Sequence, residues 1–150
     1  MVVGDYLDMQ KLKSSLIKDI RKNEILIDTN VLVYMYENKK DIFEFAKNKI
    51  SNAHFIVLDK TITELEKVYS NKVQKLKLIK KYLSKLEEIN KFEIMEVSAS
   101  LNSQCRNVDS LLVYFCKRYI IFTNDKKLKL RIKRKNGRIL SLGSKDVFIN

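Results

Sequence analysis

The sequence predicts an α/β layered domain, a mainly parallel sheet with helices on both faces. Three observations predict it. Short apolar runs alternate with stretches of helical periodicity. Acidic residues follow several of those runs, at the junction with the next helix. A chain of 150 residues suits one core of this kind, since two independent cores would each be marginal. Strands joined through helices imply right-handed crossovers, and a sheet built that way is covered on both sides.

Residues 11–22 (KLKSSLIKDIRK) set Leu12, Leu16, Ile17 and Ile20 at helical spacing, which predicts an N-terminal helical extension (1–23) ahead of the main domain (24–150). The apolar run Ile25, Leu26, Ile27 reads as the first strand. Ile42, Phe45, Ala46 and Ile50 predict a helix over 42–50, and HFIVLD (54–59) is a compact β-rich run. Residues 61–69 and 73–90 read as helices, the second with Val73, Leu76, Ile79, Leu83, Leu86 and Ile89 on one face. FEIMEV (92–97) alternates as a strand, VDSLLVYFCKR (108–118) reads as a buried helix, and YIIFT (119–123) as a continuous apolar strand. A basic helix over 126–135 and a last strand, RILSL (138–142), complete the order. With no proline and three glycines, Asn, Asp, Ser and Lys mark the turns, and no linker divides the chain.

The composition narrows the chemistry. With 45% hydrophobic and 32% charged residues, the chain has the material for a core and lacks the signature of disorder. No stretch approaches the roughly eighteen apolar residues of a membrane span. Asp5 and Asp8 stand where a signal peptide would be apolar, so the expected location is cytoplasmic, with no membrane partner. Cys105 and Cys116 match no zinc spacing and are too few for a disulfide framework, which predicts buried reduced thiols. His54 is the sole histidine, which excludes a ribonuclease working through a histidine pair and a histidine-rich metal site. Hydrolytic chemistry would rest on carboxylates, hydroxyls or lysines. The net charge of +12 suggests a polyanionic partner such as nucleic acid. It is unevenly placed: residues 101–150 hold twelve basic and three acidic side chains.

In open α/β sheets ligands bind beyond the carboxyl ends of the strands, which directs attention to four acids. Asp28 directly follows Ile25, Leu26 and Ile27, and a carboxylate breaking so apolar a run is costly to bury unless paired, hydrogen-bonded or metal-bound. Its plain structural role would be to cap the next helix, as Thr29 or Asn30 could also do. Glu64 opens the helix after the second strand, where Thr61 to Glu64 has capping-box spacing. Asp109 lies in the first turn of an apolar helix, where a negative charge suits the dipole. Asp125 ends FTND, an ordinary turn or cap sequence. Jointly, the four would bring like charges to one sheet edge, where protons or cations must neutralise them. Oxygen ligands without cysteine or histidine favour Mg²⁺ or Mn²⁺ over zinc, and such a site can activate water against a phosphate.

ILIDTNVLVY (25–34), VLDKTITELEKV (57–68), NVDSLLVYFCKRY (107–119) and IIFTNDKKLKLRIKRKNGRILSLG (120–143) together resemble the PIN domain family of metal-dependent ribonucleases, in the same order and over residues 24–143. The resemblance implies a three-layer α/β/α fold whose central parallel sheet has the order 3-2-1-4-5, here with an extra N-terminal helix. It implies that Asp28, Glu64, Asp109 and Asp125 are the catalytic and metal-binding acids, with Asn30 and Thr123 or Asn124 as polar supports. It also implies a Mg²⁺ or Mn²⁺ cofactor and hydrolysis of single-stranded RNA by a metal-activated water, leaving 5′-phosphate and 3′-hydroxyl ends. TNDKKLKLRIK followed by RILSL is similar to archaeal members of two branches, rRNA-processing nucleases and VapC-type toxins. Together these imply an rRNA or tRNA substrate, a ribosome-assembly or antitoxin partner, and a homodimer. The chain departs from the pattern at Val108-Asp109, where relatives often carry a double acid, and its DTN motif begins later than in most short VapC toxins.

From Lys117 to Arg138 ten basic residues accompany one acid, Asp125. At roughly 100° per residue Leu128, Leu130 and Ile132 cannot share one narrow helix face. Lys126, Lys127, Lys129, Arg131, Lys133, Arg134 and Lys135 would therefore surround a modest apolar anchor and form an RNA-binding track. A solvated lysine face is the plain alternative. Tyr34, Tyr36, Tyr114 and Tyr119 could stack on unpaired bases, though aromatics at these spacings are more often core. Three functions stay open. One is a metal-dependent endoribonuclease. Another is a catalytically weak or inactive RNA-binding scaffold in ribosome assembly, which the missing acid beside Asp109 favours. The third is a phosphate-accepting response regulator, disfavoured because Asp28 lacks an adjacent acid and Lys145 lies beyond the last strand.

Overall fold

A computed structural model describes residues 23–143 and 147–148. The helical extension expected over 1–23 therefore lies, apart from Asn23, outside the described residues. Asn23 itself starts the first strand, β1 (Asn23–Ile27), which leads through α1 (Thr29–Asn38) and α2 (Ile42–Lys49) to β2 (Ala53–Leu58). There follow α3 (Asp59–Val68), α4 (Val73–Glu88), β3 (Glu93–Met95), α5 (Ala99–Gln104), α6 (Val108–Phe115), β4 (Ile120–Phe122), α7 (Lys126–Arg134), β5 (Ile139–Leu140) and β6 (Val147–Phe148).

The sheet has the order β3-β2-β1-β4-β5-β6. Its first five strands are parallel, in the expected order, and β6 adds an antiparallel edge that the sequence reading did not include. β1 lies in the middle, with Ile25 beside Phe55 of β2 and Ile120 of β4. From β1 the chain builds outward first through β2 and β3, then returns to add β4 and β5 on the other side. The strand order thus reverses between β1 and β4, and a crevice forms where the two following segments part.

Alternation along β1 explains the three layers. Ile25 and Ile27 point into one apolar cluster with Leu32 and Met35 of α1, Phe43 of α2, Leu65 of α3 and Ile79 and Leu83 of α4. Leu26 points the opposite way, into a second cluster with Leu111 and Leu112 of α6 and Leu128 and Ile132 of α7. In α7 the anchor is Leu128 and Ile132, four residues apart and buried, whereas Leu130 is 54% exposed. The expected split of these three apolar residues is what folding produces.

Several boundaries differ from expectation. The strand expected over 92–97 is paired only over Glu93–Met95, a charged sheet edge flanked by buried Phe92 and Val97. The helix α5 was not anticipated, because ASLNSQ has no apolar stripe; the Ser98 hydroxyl starts it by accepting from the Leu101 N–H at 3.2 Å. Turns fall on asparagine, as the scarcity of glycine implies: Asn52, Asn90 and Asn136 all have φ near +55 to +60, the left-handed conformation asparagine tolerates. Cys116 is buried and Cys105 half-buried, and both are free thiols. No helix among the described residues is long and apolar enough to cross a membrane.

Gly137 has a packing reason. A Cβ there would lie 2.6 Å from Ile132 Cγ2 and 2.9 Å from both Cβ and Sγ of Cys116, groups pinned between α7 and α6. Gly137→Ala is expected to lower stability by roughly 1–3 kcal/mol, read as a lower urea midpoint at unchanged slope. An unchanged midpoint would show that the two helices can part without loss.

Candidate active site

Asp28 sits at the end of β1, facing the point where the strand order reverses. Its backbone N–H donates to Phe122 O at 2.9 Å, and the Thr123 hydroxyl donates to Asp28 Oδ2 at 2.7 Å, so the ends of β1 and β4 are tied together. Asp28 occupies the N-cap position of α1, yet its carboxylate makes no capping bond. The plain capping role is therefore not the one this side chain performs. Only 3% of the residue is exposed. Burial is the main cause that pushes its carboxyl from the ordinary 3.8 up to about 6; Asp109 and Glu64 add to the rise, and the bonds from Thr123 and the Thr29 N–H oppose it.

Glu64 reaches the same region from α3. The Thr29 hydroxyl donates to Glu64 Oε2 at 2.6 Å, which links the first turn of α1 to the second turn of α3. The expected capping box fails here, since α3 begins at Asp59, two residues earlier than expected. Asp59 Oδ1 accepts from the Lys60 N–H at 2.8 Å and the Val97 N–H at 3.2 Å, and so secures the helix start. Thr61 is buried, and its hydroxyl has no partner among the described residues. Glu64 does not open its helix, and is released from capping.

Asp109 is likewise released, because Asn107 caps α6 by accepting from the Ser110 N–H at 2.9 Å. The Asp109 carboxyl is raised above its ordinary value, first by burial, then by Asp125 and Glu64, while Arg131 on α7 lowers it. Asp125 does cap: its Oδ1 accepts from Lys127 N at 2.9 Å and Leu128 N at 3.2 Å, and its Oδ2 takes no part in the cap. Thr123 also accepts from the Asp125 N–H at 3.1 Å, which joins the two acids through one hydroxyl.

The four sequence-predicted acids thus form one electrostatic group, in which Asp28 and Asp109 each feel the charge of their acidic neighbours. The donor set is all oxygen, the chemistry of a hard cation, and neighbouring acids raise the pKa of Asp28 and of Asp109, a conflict such an ion relieves. Among the described residues, however, no three side chains of His, Cys, Asp or Glu stand close enough to share one ion as they are placed. Thr123, Thr29 and the α7 N–H groups each hold one oxygen of Asp28, Glu64 and Asp125 respectively.

The polar supports sort differently. Thr123 is the partner of Asp28, whereas Asn124 turns to the segment after β5, where its Oδ1 accepts from Ser141 Oγ at 3.1 Å and Leu142 N at 2.9 Å. Asn30 is exposed in the first turn of α1. Thr29, the middle residue of DTN, offered itself in the sequence only as a helix cap, and in the fold its hydroxyl holds Glu64. In the basic segment Lys126, Lys127, Arg131, Lys133, Arg134 and Lys135 are exposed, but Lys129 donates to Ser141 Oγ at 2.7 Å. Lys129 is therefore a brace between α7 and β5 and not an open member of the track. Tyr119 is buried, while Tyr114 is exposed.

No family model matches the chain. Ribonuclease VapC9 of Archaeoglobus fulgidus is 30% identical to it over 118 residues, 77% of this chain and 82% of that protein. The structure of the PIN domain endonuclease Utp24 matches with a TM-score of 0.56 and 23% identity, over 85% of this chain and 95% of that one. VapBC2 from Rickettsia felis, solved with a DNA fragment from its promoter, matches with a TM-score of 0.56 and 18% identity, over 79% and 98% of the two chains. With the parallel order β3-β2-β1-β4-β5 and this degree of likeness to VapC9, the chain belongs to the PIN domain family.

Proposed function

We propose that this protein is an endoribonuclease that hydrolyses single-stranded RNA with a bound divalent cation, Mg²⁺ or Mn²⁺. The observation that carries the reading is the convergence of Asp28, Glu64, Asp109 and Asp125 on the reversal of strand order, with Asp28 almost wholly buried among like charges. The likeness to ribonuclease VapC9 supports it.

Asp28, Asp109 and Asp125 would hold the cation, with Glu64 as a further ligand or as the base that orients the attacking water. When bound, the cation supplies a water of lowered pKa and neutralises charge developing on the phosphate. The chain's own residues do the rest. Thr29 holds one oxygen of Glu64 at 2.6 Å, and the other has no partner among the described residues and accepts the proton of the incoming water. The water oxygen would join phosphorus as its proton passes to Glu64, the bond from phosphorus to the 3′-oxygen would break, and that oxygen would take a proton from solvent, which gives 5′-phosphate and 3′-hydroxyl ends. Thr123 keeps Asp28 in register with β4, and the exposed cations of α7 hold flanking phosphates. Two biological settings suit this chemistry: rRNA processing beside a ribosome-assembly partner, and a VapC-type toxin held by an antitoxin, which the likeness to VapC9 favours.

The purified full chain is expected to cut single-stranded RNA with Mn²⁺ or Mg²⁺, to stop with excess EDTA, and to recover when the ion is restored. Mn²⁺ at a hundred times its Kd should also stabilise the fold by about 2.7 kcal/mol, read as a raised Tm. A second reading, an RNA-binding scaffold with a weak or dead site, is favoured by the separation of the acids and by Val108 beside Asp109. RNA binding that weakens with salt, without cleavage under any divalent ion, would decide for the scaffold.

A further inference from the structure

Beside the acids lies a cavity that the sequence reading did not anticipate. It has a volume of about 250 Å³, opens between α3 and the junction of α5 with α6, and includes Glu64 in its wall. Val108 and Leu111 give it an apolar floor, and both are buried in the second core. Asn102 and Asn107 stand at its side. Asn102 spends its amide nitrogen on Val97 O at 3.2 Å and Asn107 spends its carbonyl oxygen on Ser110 N at 2.9 Å. One carbonyl oxygen and one amide nitrogen are left without a hydrogen bond among the described residues. Around them Lys60, Lys67 and Arg106 supply three cations, none in an ion pair among the described residues.

We propose that this cavity is a nucleotide subsite that takes one unpaired base of the RNA strand next to the scissile phosphate. The proposal rests on the ribonuclease reading and adds to it where the strand runs and what it is read by. An apolar floor suits a base and does not suit a bare phosphate. The free acceptor and donor match the hydrogen-bonding edge of a base, and the Arg106 guanidinium offers a plane for stacking. Lys60 and Lys67 take the phosphates on either side. The volume lies below the roughly 300–1,000 Å³ of drug-sized sites, which limits the occupant to about one ring system. The position completes a path. Glu64 belongs to the cavity wall, Asp109 feels both Glu64 and Asp125, and Asp125 starts α7. A strand seated in the cavity therefore passes over the acids before it meets the basic helix.

The test uses the full chain with Mn²⁺ and a short single-stranded RNA in which one abasic nucleotide is moved through every position around the cut. One position beside the cut is expected to lose kcat/KM by roughly five- to a hundredfold. In Arg106→Ala and in Asn102→Ala the same abasic nucleotide should cost little, because the pocket no longer reads the base. If Asn102→Ala melts early for want of its bond to Val97, Arg106→Ala, at an exposed side chain, carries the test alone. Equal cleavage at all abasic positions, or undiminished sensitivity in the variants, overturns the subsite and leaves the nuclease standing. If no RNA is cut, the nuclease reading fails, and the same scan is read by fluorescence anisotropy. A loss of binding confined to one abasic position and absent in Arg106→Ala then upholds the pocket, and uniform binding overturns it.

Discussion

Asp28→Asn is expected to abolish RNA cleavage, by at least about a hundredfold, while making the metal-free protein more stable at neutral pH. The two effects have one cause. Asp28 is held where its charge is useful to a cation and unfavourable without one. Its carboxyl is raised from 3.8 to about 6 in the folded chain, so between those values the native state binds a proton that the unfolded state releases. The stability this group contributes is therefore full below about pH 4 and is lost as the pH rises through about 6. The shift corresponds to about 3 kcal/mol at neutral pH. Asparagine keeps the size and an acceptor for the Thr123 hydroxyl but carries no charge to desolvate. Urea melts in EDTA should show the variant more stable than wild type at pH 7 and level with it at pH 4. Equal stability at pH 7 would mean that the burial of Asp28 costs nothing, and cleavage by the variant would remove Asp28 from the site.

Replacing Lys126, Lys127, Arg134 and Lys135 together by alanine should weaken RNA binding and flatten its dependence on salt. Each cation that holds a phosphate of a single strand contributes about 0.7 to the slope of log affinity against log salt, so the four account for up to about 3. The choice of residues follows the structure. Lys129 is excluded because Ser141 holds its ammonium, and Arg131 because it faces Asp109. Fold and acid geometry should survive, since the buried anchors of α7 are Leu128 and Ile132. In steady-state cleavage the loss should fall on KM more than on kcat. A slope unchanged by the four replacements would make α7 a solvated face and would shift the electrostatic footprint to Lys60, Lys67 and Arg106.

Much of the fold was legible because its strands are apolar enough to have no other home. Ile25, Leu26 and Ile27, HFIVLD and YIIFT each read as buried strands, and the helical stripe of α4 was plain from Ile79 and Leu83. What escaped was α5, whose residues carry no stripe, and the true start of α3. There Asp59 reads equally well as the end of a strand or the first residue of a helix. In the fold Asp59 Oδ1 accepts both from the neighbouring Lys60 N–H and from the Val97 N–H, 38 residues away, a contact the local sequence does not show. The antiparallel β6 was hidden for a related reason, since a two-residue strand is defined by its partner.

The candidate site divides along the same line. Asp28 and Asp125 lie at strand-helix junctions as the sequence suggests, and Asp28 is the plainest of the four acids, because a carboxylate after an apolar run is expensive to bury and so stands out; Asp109 instead follows α5, and Glu64 lies in the second turn of α3. Their individual duties could not be seen, because each sat equally well at a helix start. The folded structure assigned capping to Asp125 and Asn107, placed Asp59 at the start of α3, and left Asp28, Asp109 and Glu64 without a capping duty. It also brought Thr123 to Asp28 across 95 residues and Thr29 to Glu64 across 35. By itself the sequence determined the strands, the acids and the concentration of positive charge, because these depend on residue type and local period. Only the tertiary structure decided which oxygen meets which hydroxyl, which lysine is spent on a brace, and that a base-sized cavity opens beside Glu64. Those depend on contacts between segments that are remote along the chain and adjacent only where the strand order reverses.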